Sequence, residues 1–180
     1  MAFAGFEVRV EPLGGGLPVV TWRRDEETEI LAGGFSIPSR GPGQQGVSAS
    51  VELTDPDGAI VVLDIQTGRL TGLDIVIWPE IDIRNPLTPP VPSRDAEILW
   101  PTRPAPTAST AAVELETGLA AALNHSGTVL HLQLGDQRAA ETVRIADRML
   151  VDIDSRQRLA GFWLLDLPKL DTHPIDDELP

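Results

Sequence analysis

One phrase of the sequence occurs twice. Residues 63–73 read LDIQTGRLTGL, and residues 151–162 read VDIDSRQRLAGF. Each copy has an Asp-Ile pair, a short polar insert and then Arg-Leu-x-Gly. Repetition of a strand–turn–strand phrase predicts two related units, each able to bury one apolar face against the other.

The correspondence between the two copies extends beyond the phrase. Further upstream, FEVRVE takes the place of VELET, and VVTW takes the place of AAALN. The matched positions within the phrase are Asp64-Ile65 with Asp152-Ile153, Arg69-Leu70 with Arg158-Leu159, and Gly72 with Gly161. We interpret the chain as an internal duplication of a β-meander unit, in which a glycine is needed where backbones approach closely.

The patterns on either side of the middle of the chain are those of strands. Phe6, Val8 and Val10 alternate with charged residues, as in a half-buried strand. The turn sequence DPDG separates VELT from AIVVLDI, which predicts a β-hairpin. The sequence therefore predicts a mainly β fold, with internally duplicated β-meander units packed as a sandwich or distorted barrel.

A proline-rich segment divides the two copies. Residues 84–110 hold seven of the sixteen prolines, and proline disfavours both helices and central strands. We predict a first repeat at 1–83, an extended linker at 84–110, a second repeat at 111–170 and an acidic frayed tail at 171–180. Ile98, Leu99 and Trp100 could fix the middle of the linker onto a folded surface.

Residues 108–124 allow two interpretations. Their alanines and leucines, with Ser109 or Thr110 as an N-cap, are compatible with a helix. Gly118 near the centre weakens a helix by roughly 1 kcal/mol relative to alanine. We favour two strands joined at Gly118.

The composition excludes several classes of function. The formal net charge is −13 and Lys169 is the single lysine, so a phosphate-binding surface for nucleic acid is not expected. Cysteine is absent, which excludes thiol catalysis, disulfides and thiolate metal sites. The beginning lacks the features of a signal peptide and no apolar run reaches membrane-spanning length, so we expect a soluble cytoplasmic protein without membrane contact.

The second half resembles the small bacterial family called domain of unknown function 2283, whose members read approximately YDPEADxLYIRL, ETVEV and LVDLDxxGRLVGIEIL. Here Leu123-Asn124 stands at the family's Tyr-Asp, and VLHLQL (129–134) stands at its xLYIRL. The family's ETV, LVDLD and GRLVG are matched as follows: Glu141-Thr142-Val143, Leu150 to Asp154, and Arg158-Leu159 with Gly161.

The resemblance covers roughly 18–83 and 118–168, and it is weaker in the first half. The departures are His125 for the family's proline, Trp163 for its glutamate, and the absence of a turn glycine from 155–157. The resemblance implies a β fold and no established activity. Short members of the family look like neighbours of small toxin genes, which implies an antitoxin-like or interaction role.

Metal and nucleophile chemistry have little support in the residue spacing. His125, His131 and His173 do not form HxH, HxxxH or HExxH, and no GxSxG motif is present. Asp64 and Asp152 could form an acid–base pair near the pseudo-twofold axis, but capping of the adjacent turns is the favoured interpretation. We therefore predict no catalytic residues, no metal and no cofactor.

Two further sets of residues carry specific expectations. The joint recurrence of Asp64 with Arg69, and of Asp152 with Arg158, predicts a cross-strand ion pair beside each turn. The large aromatic side chains are candidates for a ligand pocket or a protein interface, because tryptophan is enriched in both. These candidates are Trp22, Trp78, Trp100, Phe162 and Trp163.

Two hypotheses for function follow. The first is a non-catalytic interaction protein, antitoxin- or immunity-like, which forms a homo-oligomer or binds a basic protein partner through its acidic surface. The second is a small-molecule-binding or cyclase-like barrel with an apolar, tryptophan-lined pocket. A flat exposed apolar patch would favour the first, and an apolar cavity of several hundred cubic ångströms would favour the second.

Overall fold

The structure, a computed structural model, describes residues 6–36, 48–100 and 112–170. Within these ranges the regular elements are all strands, so the predicted mainly β fold is confirmed. The strands are β1 (Arg9–Pro12), β2 (Thr21–Arg24), β3 (Leu31–Gly34), β4 (Ser48–Thr54), β5 (Ile60–Gln66), β6 (Arg69–Ile77), β7 (Ile81–Arg84), β8 (Ala96–Leu99), β9 (Ala112–Glu116), β10 (Leu119–Asn124), β11 (Leu130–Leu134), β12 (Ala139–Ala146), β13 (Met149–Asp154) and β14 (Leu159–Leu164).

The strands form two sheets. The first has the order β1-β8-β6-β5-β4-β9, and β3 joins it by pairing with both β6 and β2. The second has the order β12-β13-β14-β11-β10-β7. Each sheet contains the same five-stranded arrangement, which we call the first unit (β2 to β6) and the second unit (β10 to β14). Their orders, β2-β3-β6-β5-β4 and β10-β11-β14-β13-β12, correspond strand by strand, as a duplication predicts.

The pairing registers define which residues are equivalent in the two units. Gly72 lies opposite Asp64 in the first unit, and Gly161 lies opposite Asp152 in the second. In both units the register shifts directly after that aspartate, which marks a β-bulge at the repeated Asp-Ile pair. The repeated phrase therefore encodes a bulge and the hairpin that follows it.

The repeated glycine has a steric cause. A Cβ atom at Gly161 would lie 2.6 Å from the carbonyl oxygen of Leu132 in β11. A Cβ atom at Gly72 would lie 2.8 Å from the carbonyl oxygen of Gly33 in β3. Since the neighbouring backbone occupies the space of a side chain in both units, only glycine fits.

Several strands pair across the boundaries that the sequence predicts. β7, which straddles the start of the predicted linker, runs parallel to β10 of the second unit. β9, placed in the second repeat by the sequence, runs parallel to β4 of the first unit. β8 lies inside the predicted linker, where it pairs with β1 and touches β6. The two units therefore exchange edge strands.

The segment at 112–124 forms two strands, β9 and β10, with Thr117 and Gly118 between them. The favoured prediction of two strands joined at Gly118 is thus confirmed for these residues. Residues 108–111 and the predicted tail at 171–180 lie outside the described residues.

Reciprocal contacts connect the start of each unit with a turn of the other. The backbone N–H of Val20 donates to the carboxylate of Asp147, in the turn between β12 and β13, at 2.9 Å. The backbone N–H of Leu119 donates to the carboxylate of Asp55, in the turn between β4 and β5, at 2.8 Å. In each unit, one hairpin turn therefore satisfies a backbone N–H donor of the other unit.

The apolar core follows the pleat of the strands. In β5 the residues alternate between buried and half-buried, because one face packs inward. In β13 and β14 every residue is buried, including the polar Asp152 and Asp154. The outer face of the second unit is therefore covered as well, and its polar groups need partners within the protein.

Candidate functional site

Asp152 is a buried carboxylate on the outer face of the second unit, and side chains from three other strands bind it. It is 4% exposed and lies on β13 beside the bulge. One carboxylate oxygen, Oδ2, lies 3.0 Å from Nε2 of His131 and accepts a hydrogen bond from Nε1 of Trp163 at 3.0 Å. The other oxygen accepts from the Thr142 hydroxyl at 2.5 Å. Both oxygens of this buried carboxylate therefore have hydrogen-bond partners within the protein.

The His131 ring is held between neighbours on the same face of the sheet. It lies directly across from Trp163, and the two rings stack with centroids 4.1 Å apart and planes 16° apart. Its Nε2 is bound to Asp152, so rotation of the ring would break both contacts. The side chain keeps 21% of its surface exposed. His131 is therefore a rigid aromatic surface that faces outward.

A groove runs beside His131. Its floor is formed by the exposed Ala120 and the buried Ala122 on β10, and the small side chain of Ala120 leaves space above the sheet. His131 and Gln133 on β11 form one side, and Asp82 on β7 lies on the other. Ala122 pairs with His131 on one side and with Asp82 on the other, so the three lie in a row across adjacent strands. The volume is about 530 Å³.

The groove is acidic. Asp55 and Asp57 of the turn between β4 and β5 line one end, and Glu80 and Asp82 line the side formed by the segment before β7 and by β7 itself. Arg84 is the arginine among the described lining residues, and its Nε donates to Asp82 at 2.7 Å. Four carboxylates against one guanidinium leave a local excess of negative charge, which attracts cations.

The first unit carries a different set of side chains at the equivalent positions. Counted along the paired strands, Ala32 takes the place of His131, and Asp74 takes the place of Trp163. Asp64 therefore faces a second carboxylate, and in the described part of the chain no donor is bound to its own carboxylate. Burial raises the pKa of Asp64. Burial and the charge of Asp64 raise the pKa of Asp74, opposed by a hydrogen bond from the Gly33 backbone.

The predicted ion pairs between Asp64 and Arg69, and between Asp152 and Arg158, are wrong. Arg158 binds Asp154, with Nη2 at 2.6 Å and Nε at 2.7 Å from Oδ2. Asp154 and Arg158 are closer to the turn than Asp152, and they enclose residues 155–157. Asp154 is also the residue that caps this turn, since its Oδ1 accepts from the backbone N–H groups of Arg156 and Arg158.

The residue equivalent to Asp154 in the first unit is not an acid, and this explains why Arg69 has a different partner from Arg158. Burial alone raises the pKa of Asp154, but the Arg158 side chain and the backbone N–H groups outweigh burial, and the pKa lies below its ordinary value. The equivalent position in the first unit is Gln66, which cannot form an ion pair. Arg69 binds Glu97 of β8 instead, at 3.1 Å.

The five aromatic candidates do not share one site. Phe162 is fully buried in the core, and Trp163 packs against His131. Trp22 donates from Nε1 to the carbonyl oxygen of Leu165 at 3.0 Å. The other two candidates, Trp78 and Trp100, are half-buried against the core. Trp78 lines the groove and donates to the carbonyl oxygen of Glu29 at 2.8 Å. The centroid of the Trp100 ring lies 5.5 Å from that of Phe6. The structure therefore shows no joint tryptophan-lined pocket among the described residues.

The histidines are likewise separate. His131 is in the site described above, His125 is an exposed turn residue, and His173 lies outside the described residues. Within residues 6–36, 48–100 and 112–170, no three His or acidic side chains are placed to hold a metal ion.

Sequence reasoning did not find the groove. Its floor is an alanine run, LAAAL, and the side formed by β7 comes from the predicted linker boundary. The one available signal was the exposed charge of Asp82 and Arg84 in a strand-like IDIR segment. Pairing of β7 with β10 places these residues beside the alanines, and no local pattern predicts that long-range pairing.

Comparison with known proteins adds no identification. No protein-family model matches the chain, and no curated protein matches it with significant similarity. The resemblance to domain of unknown function 2283 therefore stays a prediction. In the ranges that the structure covers, no helix has the length and hydropathy needed to cross a membrane.

Proposed function

We propose that the protein is a non-catalytic binding protein, and that the groove over Ala120 and Ala122 holds a basic segment of a protein partner. The observation that supports this most directly is the lining itself: four carboxylates and one arginine around a floor of small side chains. Such a trough accepts an extended chain with long cationic side chains, because the floor offers space and the sides offer acceptors.

The overall charge of the chain supports the same proposal. A net charge of −13 attracts a basic partner over distances beyond contact and raises the rate of encounter. Two exposed apolar side chains lie outside the groove lining but next to lining residues in the sequence: Ile77 precedes Trp78 and Ile83 follows Asp82, and they are 48% and 46% exposed. A partner that covered them would gain hydrophobic burial in addition to charge pairing.

A small cationic molecule is the second candidate ligand. The groove volume of about 530 Å³ falls within the range typical of small-molecule sites. An apolar metabolite is a poorer fit. Only Trp78, among the five large aromatic candidates, lines the groove, and the lining carries five charged groups.

Binding of a labelled peptide tests the proposal. We expect the fluorescein-labelled peptide KRGKRGKRG to bind, a version with glutamine at every charged position not to bind, and affinity to fall between about 50 mM and about 300 mM NaCl. The variant Asp57→Asn with Glu80→Gln and Asp82→Asn removes three groove charges. It should weaken binding about tenfold in fluorescence anisotropy, since each exposed charge contributes a fraction of 1 kcal/mol up to about 1 kcal/mol.

A matched variant separates the groove from the general charge of the protein. Glu26→Gln with Glu27→Gln and Asp136→Asn removes the same number of exposed charges outside the groove lining. It should leave affinity nearly unchanged. Equal weakening by both variants would mean diffuse attraction and would contradict a site in the groove. Binding of free arginine or spermidine as tight as that of the peptide would favour the small-molecule alternative.

A further inference from the structure

We infer that the groove selects arginine over lysine, and that His131 determines this selectivity by stacking against the guanidinium group. This inference rests on the proposed function, which concerns basic segments in general. It is carried by the position and fixation of the His131 ring rather than by the charge of the groove.

The His131 ring is held rigidly by its neighbours. Trp163 covers one face of His131, and both rings are bound to the same oxygen of Asp152, each at 3.0 Å. Thr142 holds the other oxygen of that carboxylate. The surface offered to a ligand is thus fixed before the ligand arrives, and little side-chain entropy is lost on binding.

The ring has space beside it on the groove side. On the side away from Trp163, the neighbour of His131 in the row is Ala122, followed by Asp82. Adjacent strands lie about 4.8 Å apart, so β11 and β7 are separated by about 10 Å across the alanine. Within that width Ala122 is 5% exposed and Ala120 is exposed, so a planar group fits over Ala120, against the face of the His131 imidazole that is turned away from Trp163.

The guanidinium of arginine and the ammonium of lysine differ in shape. A guanidinium stacks on aromatic faces and presents parallel N–H donors to carboxylates, whereas an ammonium is a compact, strongly hydrated charge without a planar face. The buried carboxylate of Asp152 behind the imidazole adds attraction for a cation on the groove side. Arg84 already binds Asp82, which shows that this carboxylate accepts a guanidinium, and both side chains are about 60% exposed.

The first unit lacks these features. Ala32 provides no ring at the position of His131, and Asp74 provides no ring at the position of Trp163. The aromatic surface is therefore particular to the second unit within the described part of the chain.

Two labelled peptides test the inference: one of alternating arginine and glycine, and one of alternating lysine and glycine, of equal length and charge. We expect the arginine peptide to bind about fivefold more tightly to the unmodified protein. His131→Ala should reduce affinity for the arginine peptide to that of the lysine peptide and leave the lysine peptide unaffected. Circular dichroism and thermal unfolding of the variant establish that it folds.

A second variant covers the case in which His131→Ala does not fold. Ala120→Leu, at an exposed floor position that pairs with Gln133, removes no contact of His131 with Asp152 or Trp163 and fills the space over the floor. It should also remove the preference for arginine. Equal affinity of the unmodified protein for both peptides, or an equal loss for both in His131→Ala, would overturn the inference while the proposed function stands. Absence of binding of either peptide would overturn the proposed function itself.

Discussion

Asp64 and Asp152 occupy the same place in two units of the same topology, yet their surroundings are opposite. Each lies opposite a required glycine on the adjacent strand, and each directly precedes a bulge. Asp152 receives three hydrogen bonds from side chains, whereas burial and the proximity of Asp74 work against the charge of Asp64. Backbone geometry is shared, and the fate of the carboxylate is decided by the neighbouring strands.

The inner faces of the units differ in a compensating way. In the first unit the ring of Trp22 covers Gly33, where a Cβ atom would lie 2.0 Å from two ring carbons. At the equivalent positions the second unit has Ala121 and Leu132. Trp22 opposite Gly33 in one unit, and Ala121 opposite Leu132 in the other, are two ways of filling the space between the same two strands. The outer faces show no such compensation, and there the chemistry diverges.

The largest expected effect concerns what the units share. Gly161→Ala and Gly72→Ala should each lower the free energy of unfolding by about 3 kcal/mol, because each new methyl group meets a fixed backbone carbonyl. Urea unfolding of both variants measures this. Gly118→Ala is the control, since its Cβ atom would meet its nearest neighbour at 3.8 Å, an ordinary contact. A clear difference between the two repeat positions would show that the units are not built alike at this point.

The second prediction concerns what the units do not share. Asp152→Ala should lower the free energy of unfolding by about 2 kcal/mol, because it leaves Trp163 and Thr142 without their buried acceptor. Asp64→Ala, at the equivalent position, should change it by less than about 0.5 kcal/mol or raise it. Chemical unfolding at pH 7 compares the two. Equal losses would mean that Asp64 has partners like those of Asp152 and would remove the contrast between the units.

The smallest expected effect is a pH dependence of opposite sign at Asp74 and Asp154. The pKa of Asp74 is raised above its ordinary value of 3.8, so the folded state disfavours the charge and stability falls as pH rises through the interval above 3.8. Asp74→Asn should therefore raise Tm by roughly 1–3 °C at pH 7, and the gain should shrink as the pH approaches 4. This range allows for partial screening by solvent.

Asp154 provides the matched opposite case. Its pKa is lowered, so its contribution to stability is present above pH 3.8 and is lost as pH falls through the lower, folded value. Asp154→Asn should therefore lower Tm at pH 7, with the loss decreasing on acidification. Thermal scans of both variants at pH 7 and pH 4, extended to about pH 3 for the Asp154 variant, check the signs. Shifts of the same sign in both variants would contradict the opposite environments of the two carboxylates.

Local patterns were enough to predict the mainly β fold and the two strands around Gly118, and the repeated phrase was enough to predict close backbone approach at Gly72 and Gly161. These features depend on alternation, turn residues and close backbone approach, all of which leave local marks in a sequence. The partner of Arg158 was predicted wrongly because Asp152 is the aspartate that recurs in both copies. Only the observed turn shows that Asp154 is the residue that closes it.

By itself, then, the sequence predicted two β units that share a strand–turn–strand motif, because alternation and turn residues are local features. Tertiary structure alone decided that β7 pairs with β10 and β9 with β4, which builds the acidic groove from segments that are distant in the chain. It also decided that His131 and Trp163 meet at Asp152 while Asp64 meets Asp74. Such contacts depend on which strands become neighbours, and the free energy of that choice is spread over both sheets rather than written in any one segment.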